Sequence, residues 1–280
     1  KNPARFFFKQ RLGVSFWDPQ QAPDDTERFD LDALTRHQWV QQITDAWSDE
    51  GGHDLERQIG QLRRSGALPL KSLGDWREQD LQQRLAPMAR EWQKLSQEFV
   101  SDSEPIKLCF EQCGWVLEAS VVLDGQKGWR ELDPGRLTDK GKPRPHKLLA
   151  SWLRMLLLSA THGVEGACLL GQDALMRLPP IEPNQARAQL GLLLAVWQAG
   201  LQMPYEGGAD DFSTNQAEVR DMAWARSYPD WTRLSQARVV VTDLSGGVES
   251  EWCFVDLAQQ VYAPLLDWVA QVQVVSFSKS

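Results

Sequence analysis

The sequence predicts a mixed α/β fold, in which a mixed sheet is flanked by helices and follows a mostly helical segment. The first hundred residues place apolar side chains at helical spacing, which favours helices with one buried face. Residues 114–123 (GWVLEASVVL) are rich in β-branched side chains and favour a strand. Residues 147–159 (KLLASWLRMLLLS) are apolar on almost every side, as expected for a helix buried against a sheet.

The first segment begins with short elements that precede a long helix. Residues 5–14 (RFFFKQRLGV) predict a short helix with aromatic residues on one side, and a Pro/Asp-rich linker covers residues 18–26. A long helix is expected from near Asp30, a good N-cap residue, with Asp32 in the first turn where the helix dipole favours an anion. Apolar residues at helical spacing mark its core side: Leu31, Leu34, Val40, Ile43 and Trp47.

Two further helices are expected after the glycine pair at residues 51–52. They cover about residues 53–65 and 72–98, and the break between them is the sequence GALP at residues 66–69. An apolar stripe runs along the second of these helices: Leu81, Leu85, Met88, Trp92 and Leu95. The first hundred residues are therefore predicted to be mostly helical.

The central segment is predicted to form the sheet. A strand at residues 106–111 precedes the strand at 114–123, and an extended pattern resumes at residues 128–132 (GWREL). Asp124-Gly125 is a strong turn signal, so we expect a β-hairpin whose two strands pair across this turn. A basic loop and the apolar helix at 147–159 follow. Later elements are a strand at 166–171, a loop at 179–181 and an amphipathic helix at 184–200.

The last segment is predicted to be mainly helical. A Gly/Asp-rich loop covers residues 205–211, a helix follows at about 214–225, and residues 238–242 favour a short strand. A turn at Gly246-Gly247 precedes a final amphipathic helix at about 256–272. The chain thus divides into a mostly helical part (1–104), an α/β core (105–204) and a C-terminal helical part (205–280). It starts at Lys1 rather than Met, from which we expect a piece of a longer polypeptide.

Composition limits the classes of partner that the chain can bind alone. Its net charge is −8, whereas a free-standing domain that grips DNA is usually basic. DNA would therefore be bound through a local patch or within a larger assembly. Thirteen tryptophans are unusual, and we interpret most of them as core anchors and a few as interface residues.

The cysteines and the hydropathy pattern indicate a cytoplasmic protein that does not cross a membrane. The four cysteines at 109, 113, 168 and 253 fit neither a zinc site nor a redox motif, which favours buried free thiols in a reducing cytoplasm. No segment approaches the roughly 20 uninterrupted apolar residues of a membrane span.

The order of elements in the centre of the chain resembles that of one nuclease class. Strand, strand, basic loop and covering helix is the order in which nucleases of the PD-(D/E)xK type hold their active site. The resemblance implies a PD-(D/E)xK nuclease-like sheet for this chain, but a fold does not fix a function.

A second resemblance is to the RecC family, the gamma subunits of exodeoxyribonuclease V. Phe16-Trp17 and the sequence LDALTR at residues 31–36, followed by Gln38, are similar to the C-terminal part of that family. Further matches follow in the same order along most of the chain: Asp124-Gly125, Trp152-Leu153, Pro179-Pro180, Gln185-Ala186 and Met203 near Pro204.

The RecC resemblance implies a particular role. In that family, helicase-like domains are followed by a nuclease-like domain that has lost catalysis, and this chain would be that last domain. The subunit lies between RecB-like and RecD-like motor subunits, guides separated DNA strands and takes part in Chi recognition. The implied role is therefore a non-catalytic scaffold in double-strand break repair and recombination, without a cofactor.

The residues themselves indicate a degenerate nuclease site. A PD-(D/E)xK enzyme needs carboxylates that converge on Mg²⁺ and a lysine two residues after the second acid. Here the acids are Glu118, Glu131 and Asp133, and Gly135 stands where the lysine after Asp133 would be. Pro134 interrupts the strand at that point. We therefore predict no catalytic residue and no metal site.

The covering helix also departs from the nuclease pattern. RecB-like nucleases have a Gln-x3-Tyr pair there, and the nearest positions in this chain are Ala150 and Arg154.

One stretch of the chain concentrates positive charge. This basic loop, residues 136–147, contains five candidate DNA-binding residues together with His146: Arg136, Lys140, Lys142, Arg144 and Lys147. Such side chains would contact phosphates without reading sequence. A solvated loop, or a patch for an acidic partner surface, is the alternative.

Two rival functions remain. The chain is an active Mg²⁺ nuclease if a lysine such as Lys140 reaches back to within about 4 Å of the Glu118 and Asp133 carboxylates. The other rival is a subunit-docking module that binds only protein, with no DNA role.

Overall fold

The structure is a computed structural model that describes residues 33–50, 54–69, 71–98, 105–112, 114–124, 128–202, 238–242 and 249–277. Within these ranges there are six helices: α1 (Ala33–Glu50), α2 (Leu55–Arg64), α3 (Lys71–Glu98), α4 (Pro145–Thr161), α5 (Pro183–Gln202) and α6 (Phe254–Val269). The same ranges contain ten strands: β1 (Ile106–Gln112), β2 (Trp115–Val121), β3 (Trp129–Leu132), β4 (Thr138–Asp139), β5 (Lys142–Pro143), β6 (Ala167–Leu170), β7 (Ala174–Leu178), β8 (Arg238–Thr242), β9 (Glu249–Cys253) and β10 (Gln273–Ser276). The mixed α/β fold class is confirmed.

Helices α1–α3 form a layer with a core of its own. The described residues of the predicted stripes are buried, with Val40, Ile43 and Trp47 on α1 at most 3% exposed, and Leu85 and Met88 on α3 fully buried. The α2 helix starts where the Asp54 carboxylate accepts the Arg57 backbone N–H at 3.0 Å, an N-cap that satisfies a free amide. Helical spacing of apolar residues therefore predicted this layer correctly.

The central sheet has four strands in the order β10-β7-β6-β3. Strands β3 and β6 are parallel, and the other two pairs are antiparallel. Its two faces are covered by different layers: Cys168 and Leu170 pack with α1–α3, whereas Ala167 and Leu169 pack with the core that includes α4–α6. A strand buried on both faces reads as a continuous apolar run, as β6 does.

The second layer contains α4, the predicted apolar helix. Leu148, Leu156 and Leu158 are fully buried, and Trp152 is 1% exposed. Leu153 is 40% exposed, so one side of the helix faces outward. The β1–β2 sheet and helices α5 and α6 share this core.

The predicted hairpin at Asp124-Gly125 is wrong. Strand β2 pairs with β1 in an antiparallel hairpin, and Gly114, which directly precedes β2, has a φ of +84°. Strand β3 pairs instead with β6 in the central sheet. The chain does bend at Asp124, whose backbone N–H donates to the Gly128 carbonyl at 2.7 Å, but the bend leads to another sheet.

A close backbone approach fixes the start of β3. Gly128 has a φ of +118°, and a Cβ there would lie 1.7 Å from the Gly166 carbonyl oxygen. Only glycine fits this position without moving the chain that precedes β6.

The remaining predicted elements divide into three groups. The strands at 166–171 and 238–242, and the helices at 184–200 and 256–272, correspond to β6, β8, α5 and α6. Strands β7, β9 and β10 and the β4–β5 ribbon were not predicted. Several predictions lie outside the described residues: the elements at 5–14 and 18–26, Phe16-Trp17, Asp30, Leu31 and Asp32, the loop 205–211, the helix 214–225, and the Gly246-Gly247 turn.

Most tryptophans whose burial the structure describes lie in the core, as predicted, and the predicted interface role of a few stays a prediction. The buried ones in that part of the chain are Trp39, Trp47, Trp92, Trp129, Trp152 and Trp268. Trp76 is 54% exposed and Trp197 is 41% exposed. Within the described ranges, none of the helices is long and apolar enough to span a membrane.

The thiol prediction is confirmed in part. Cys168 in β6 is buried, and this burial raises the pKa of its thiol. Cys109 is exposed, because β1 alternates inward and outward residues and residue 109 points away from the core. The prediction of a buried thiol is therefore wrong for Cys109.

Candidate functional site

The predicted acid Asp133 lies at the end of β3, where it is bound by protein groups. The Lys147 Nζ lies 3.2 and 3.3 Å from its two carboxylate oxygens, and the Gly135 backbone N–H donates to one of them at 2.6 Å. The two side chains are partly buried, with Lys147 29% and Asp133 19% exposed. A helix side chain therefore neutralises this carboxylate.

Gly135 explains how Lys147 reaches Asp133. A Cβ at Gly135 would lie 2.8 Å from the Lys147 Nζ and 2.9 Å from an Asp133 oxygen. The ammonium group of Lys147 thus occupies the space into which a side chain at position 135 would extend. A side chain at position 135 would therefore force the end of the Lys147 side chain to shift.

The neighbouring acid Glu131 is bound in a similar way. The Arg154 guanidinium donates to Glu131 at 2.8 Å and lies over the Trp129 ring, 5.6 Å from its centre. Arg154 is one of the two helix positions at which the nuclease resemblance predicts a Gln-x3-Tyr pair. Here that position supplies a cation for the acid on β3.

The third predicted acid, Glu118, lies on another sheet. It is an exposed residue of β2 and stands opposite Cys109 in the β1–β2 register. Asp133 follows β3, which belongs to the central sheet. Glu118 and Asp133 are therefore positioned by different sheets. In the part of the chain that the structure describes, no group of three or more His, Cys, Asp or Glu side chains could hold a metal ion.

Asp173, which the sequence did not single out, organises the loop after β3. Its carboxylate accepts the Leu137 N–H at 2.7 Å, the Thr138 N–H at 3.1 Å and the Thr138 hydroxyl at 2.6 Å. The Arg136 guanidinium lies 3.7 Å from the same carboxylate. The only sequence signal was its place directly after the strand at 166–171, where a polar residue usually marks a turn.

The basic loop is spread over several structural roles. Lys140 and Lys142 are exposed on the β4–β5 ribbon, whose turn places Lys140 at a φ of +48°. Arg144 is the N-cap residue of α4, and its backbone N–H donates to the Leu137 carbonyl at 2.9 Å. Lys147 binds Asp133, so Lys140 is not the lysine that meets this acid.

A cavity of about 340 Å³ opens beside this loop, between the helical layer and the end of β3. Its wall is formed by Arg36 and His37 on α1, Arg84 on α3, and Arg136 in the loop. Its apolar lining includes Val40, Leu81 and Leu85. The sequence did not reveal this site, because its cations come from segments separated by about a hundred residues.

Together these features define a class of protein: a mixed α/β domain in which the acids at the end of a central strand are held by basic side chains. The chain belongs to the RecC C-terminal domain family, whose model matches residues 1–206. The RecBCD enzyme subunit RecC of Escherichia coli (strain K12) is 28% identical over 224 residues. That match covers 74% of this chain and 18% of the relative, so the chain spans about a fifth of the relative's length.

Proposed function

We propose that this chain is a non-catalytic scaffold and DNA-guiding domain of a RecBCD-type helicase–nuclease. It would dock on RecB-like and RecD-like subunits in the cytoplasm and act in double-strand break repair and recombination. The exodeoxyribonuclease V activity would belong to the assembled complex. Membership of the RecC C-terminal domain family supports this assembly.

The observation that supports a non-catalytic role is the ion pair at the end of β3. Metal-dependent cleavage requires carboxylates that are free to bind Mg²⁺ and converge on it. Asp133 is held by Lys147, Glu131 is held by Arg154, and Glu118 projects from a different sheet. Each candidate ligand is thus either neutralised or placed elsewhere.

Because β2 and β3 do not pair, the predicted hairpin no longer supports a nuclease-like fold. That fold is now supported by the parallel strands β3 and β6 with helix α4 between them, since acids lie at the end of β3 and side chains of α4 reach them. We keep the nuclease-like ancestry as part of the proposal on this unit alone.

A cleavage assay tests the catalytic part of the proposal. The purified chain should not degrade linear duplex DNA in the presence of Mg²⁺. In the assembled complex, Asp133→Ala should leave the exonuclease rate unchanged, because the residue does not touch the reacting phosphate. Cleavage by the isolated chain that disappears in Asp133→Ala would contradict the proposal.

One observation favours a second candidate function, a Mg²⁺ nuclease with a migrated lysine. The Lys147 ammonium lies where a side chain at Gly135 would extend, so it could serve in place of the lysine of the nuclease pattern. In that case Lys147→Ala should abolish a Mg²⁺-dependent cleavage that the unmodified chain performs.

Crosslinking separates DNA guiding from docking alone. A photoreactive residue in place of Lys140, on the exposed ribbon, should crosslink to a DNA strand in the assembled complex. Crosslinks only to protein from every position in residues 136–147 would favour the docking module.

A further inference from the structure

The cavity between the helical layer and the β3 end has an unusual balance of charge. The chain has a net charge of −8, yet three arginines and a histidine line this cavity without a carboxylate among the lining residues. Two other cavities in the described part of the chain contain acids, such as Asp54 in one and Asp75 in the other. The positive charge here is therefore a local feature.

The three arginines approach the cavity from three segments. Arg36 lies on α1 and forms no ion pair within the described residues. Arg84 on α3 is held by Asp80 at 2.8 Å, and Arg136 lies 3.7 Å from Asp173. A guanidinium has five N–H donors, so one carboxylate contact leaves donors for a ligand.

The apolar lining strengthens any contact made at this site. Val40 and Leu81 are each 3% exposed and Leu85 is fully buried, so part of the wall excludes water. Charge–charge interactions are stronger beside such a wall than in bulk water.

The number of cations favours a phosphodiester over a single carboxylate. Arginine forks bind the several acceptor oxygens of a phosphate in parallel hydrogen bonds. A nucleic-acid strand repeats that charge, so successive phosphates can meet Arg36 and Arg136 on different walls.

We propose that this cavity binds the phosphodiester backbone of a DNA strand, through Arg36, Arg84 and Arg136. The inference rests on the proposed DNA-guiding function and adds to it a particular site. The site lies beside the basic loop and shares Arg136 with it. A strand bound here would run between the helical layer and the β3 end.

The test compares two variants that each remove two positive charges. The cavity variant is Arg36→Gln with Arg84→Gln, and the loop variant is Lys140→Gln with Lys142→Gln. Binding of a fluorescein-labelled oligothymidine to the 280-residue chain is followed by fluorescence anisotropy over a range of salt concentrations. Arg64→Gln with Arg90→Gln is the matched control, because it also removes two positive charges and neither arginine lines this cavity.

The cavity variant should bind roughly tenfold more weakly, and the slope of log K against log salt should fall by about 1.4, near 0.7 for each lost phosphate contact. The variant Arg36→Lys with Arg84→Lys keeps the charges but lacks the guanidinium forks, so it should keep the salt slope of the unmodified chain and recover only part of the binding. Urea midpoints and circular dichroism establish that each variant is folded.

Three outcomes would overturn the inference. If only the loop variant loses binding, the strand lies elsewhere and the DNA-guiding proposal survives without this site. If the unmodified chain binds no oligothymidine even at low salt, the inferred site falls, whereas the DNA-guiding function is decided separately by crosslinking at residues 136–147 in the assembled complex. If polyglutamate binds the chain and oligothymidine does not displace it, the cavity binds a partner's carboxylates.

Discussion

The ion pair between Lys147 and Asp133 should be worth more than a surface salt bridge. The perturbation is a double-mutant cycle made of Lys147→Met, Asp133→Asn and the variant with both changes. Exposed pairs typically couple by about 0.2–1 kcal/mol, and removing one partner of a fully buried pair costs about 3–5 kcal/mol. With side chains 29% and 19% exposed and both oxygens within 3.3 Å, this pair lies between these limits.

We therefore expect a coupling free energy of about 1–2 kcal/mol for this pair. Lys147→Met alone should cost more than the double variant, because it leaves the Asp133 carboxylate with the Gly135 N–H as its remaining donor among the described residues. Urea denaturation of the chain measures each free energy of unfolding, provided that the transition is two-state.

The control is Lys94 and Glu91, which form a shorter contact of 2.7 Å on the surface of α3. The Lys94 side chain is 70% exposed, so this pair should couple by no more than about 0.5 kcal/mol despite its shorter distance. Equal coupling in the two pairs would refute the reasoning, since burial would then have no effect on the strength of the contact.

Three further predictions concern the fold. Gly128→Ala should destabilise the chain by at least about 2 kcal/mol, because the new Cβ would meet backbone atoms. Gly141→Ala should cost about 1 kcal/mol, because Gly141 has a φ of +79° but nothing lies within 4 Å of the new Cβ. Equal urea midpoints for the two variants would contradict this prediction. Burial of Tyr262 raises the pKa of its hydroxyl in the folded chain. The free energy of unfolding should therefore be unaffected by this group below pH 10, about the pKa of tyrosine in the unfolded chain, and should fall as the pH rises above it. Tyr262→Phe should flatten that fall in unfolding experiments between neutral and alkaline pH, and an unchanged slope would count against it. The Cys168 thiol, buried and with a raised pKa, should be alkylated at least about tenfold more slowly than Cys109, as followed by peptide mass spectrometry, and urea should abolish the difference.

Elements with local signals were predictable from the sequence. The stripe on α3 and the apolar run of α4 identify buried helices, because burial of a helix face imposes its period on the sequence. Likewise, the continuous apolar run of β6 reflects a strand covered on both faces.

Strand pairing was not predictable, because it depends on distant parts of the chain. The Asp124 N–H does donate to the Gly128 carbonyl, but β3 pairs with β6, which lies about 40 residues further along the chain, and not with β2. Strand β10 pairs with β7 almost a hundred residues earlier, and no local pattern reports such a pairing. A turn signal therefore fixes where the chain bends and leaves open what it pairs with.

The same limit applies to the candidate site. The sequence identified Asp133 and Gly135 as positions of a degenerate active site. It identified Lys147 only as a candidate DNA-binding residue, with no link to Asp133. Their meeting depends on how the fold places the first turn of α4 beside the end of β3. Asp173 and Arg36 gave weaker signals, because single polar residues beside a turn or on a helix are common.

A swap of the lysine tests whether its position is the only defect of the nuclease-like site. Gly135→Lys with Lys147→Ala returns a lysine to the position two residues after Asp133 and frees the space that the Lys147 ammonium now fills. We expect no Mg²⁺-dependent cleavage of linear duplex DNA by this variant. A lysine assists hydrolysis only where carboxylates already hold the metal, and Glu131 remains bound to Arg154 at 2.8 Å. The urea midpoint of the swapped variant provides the control for folding. The opposite result would be cleavage by the swapped variant that is lost when Asp133→Ala is added. It would show that the acids do converge on a metal ion and that the ion pairs do not prevent catalysis.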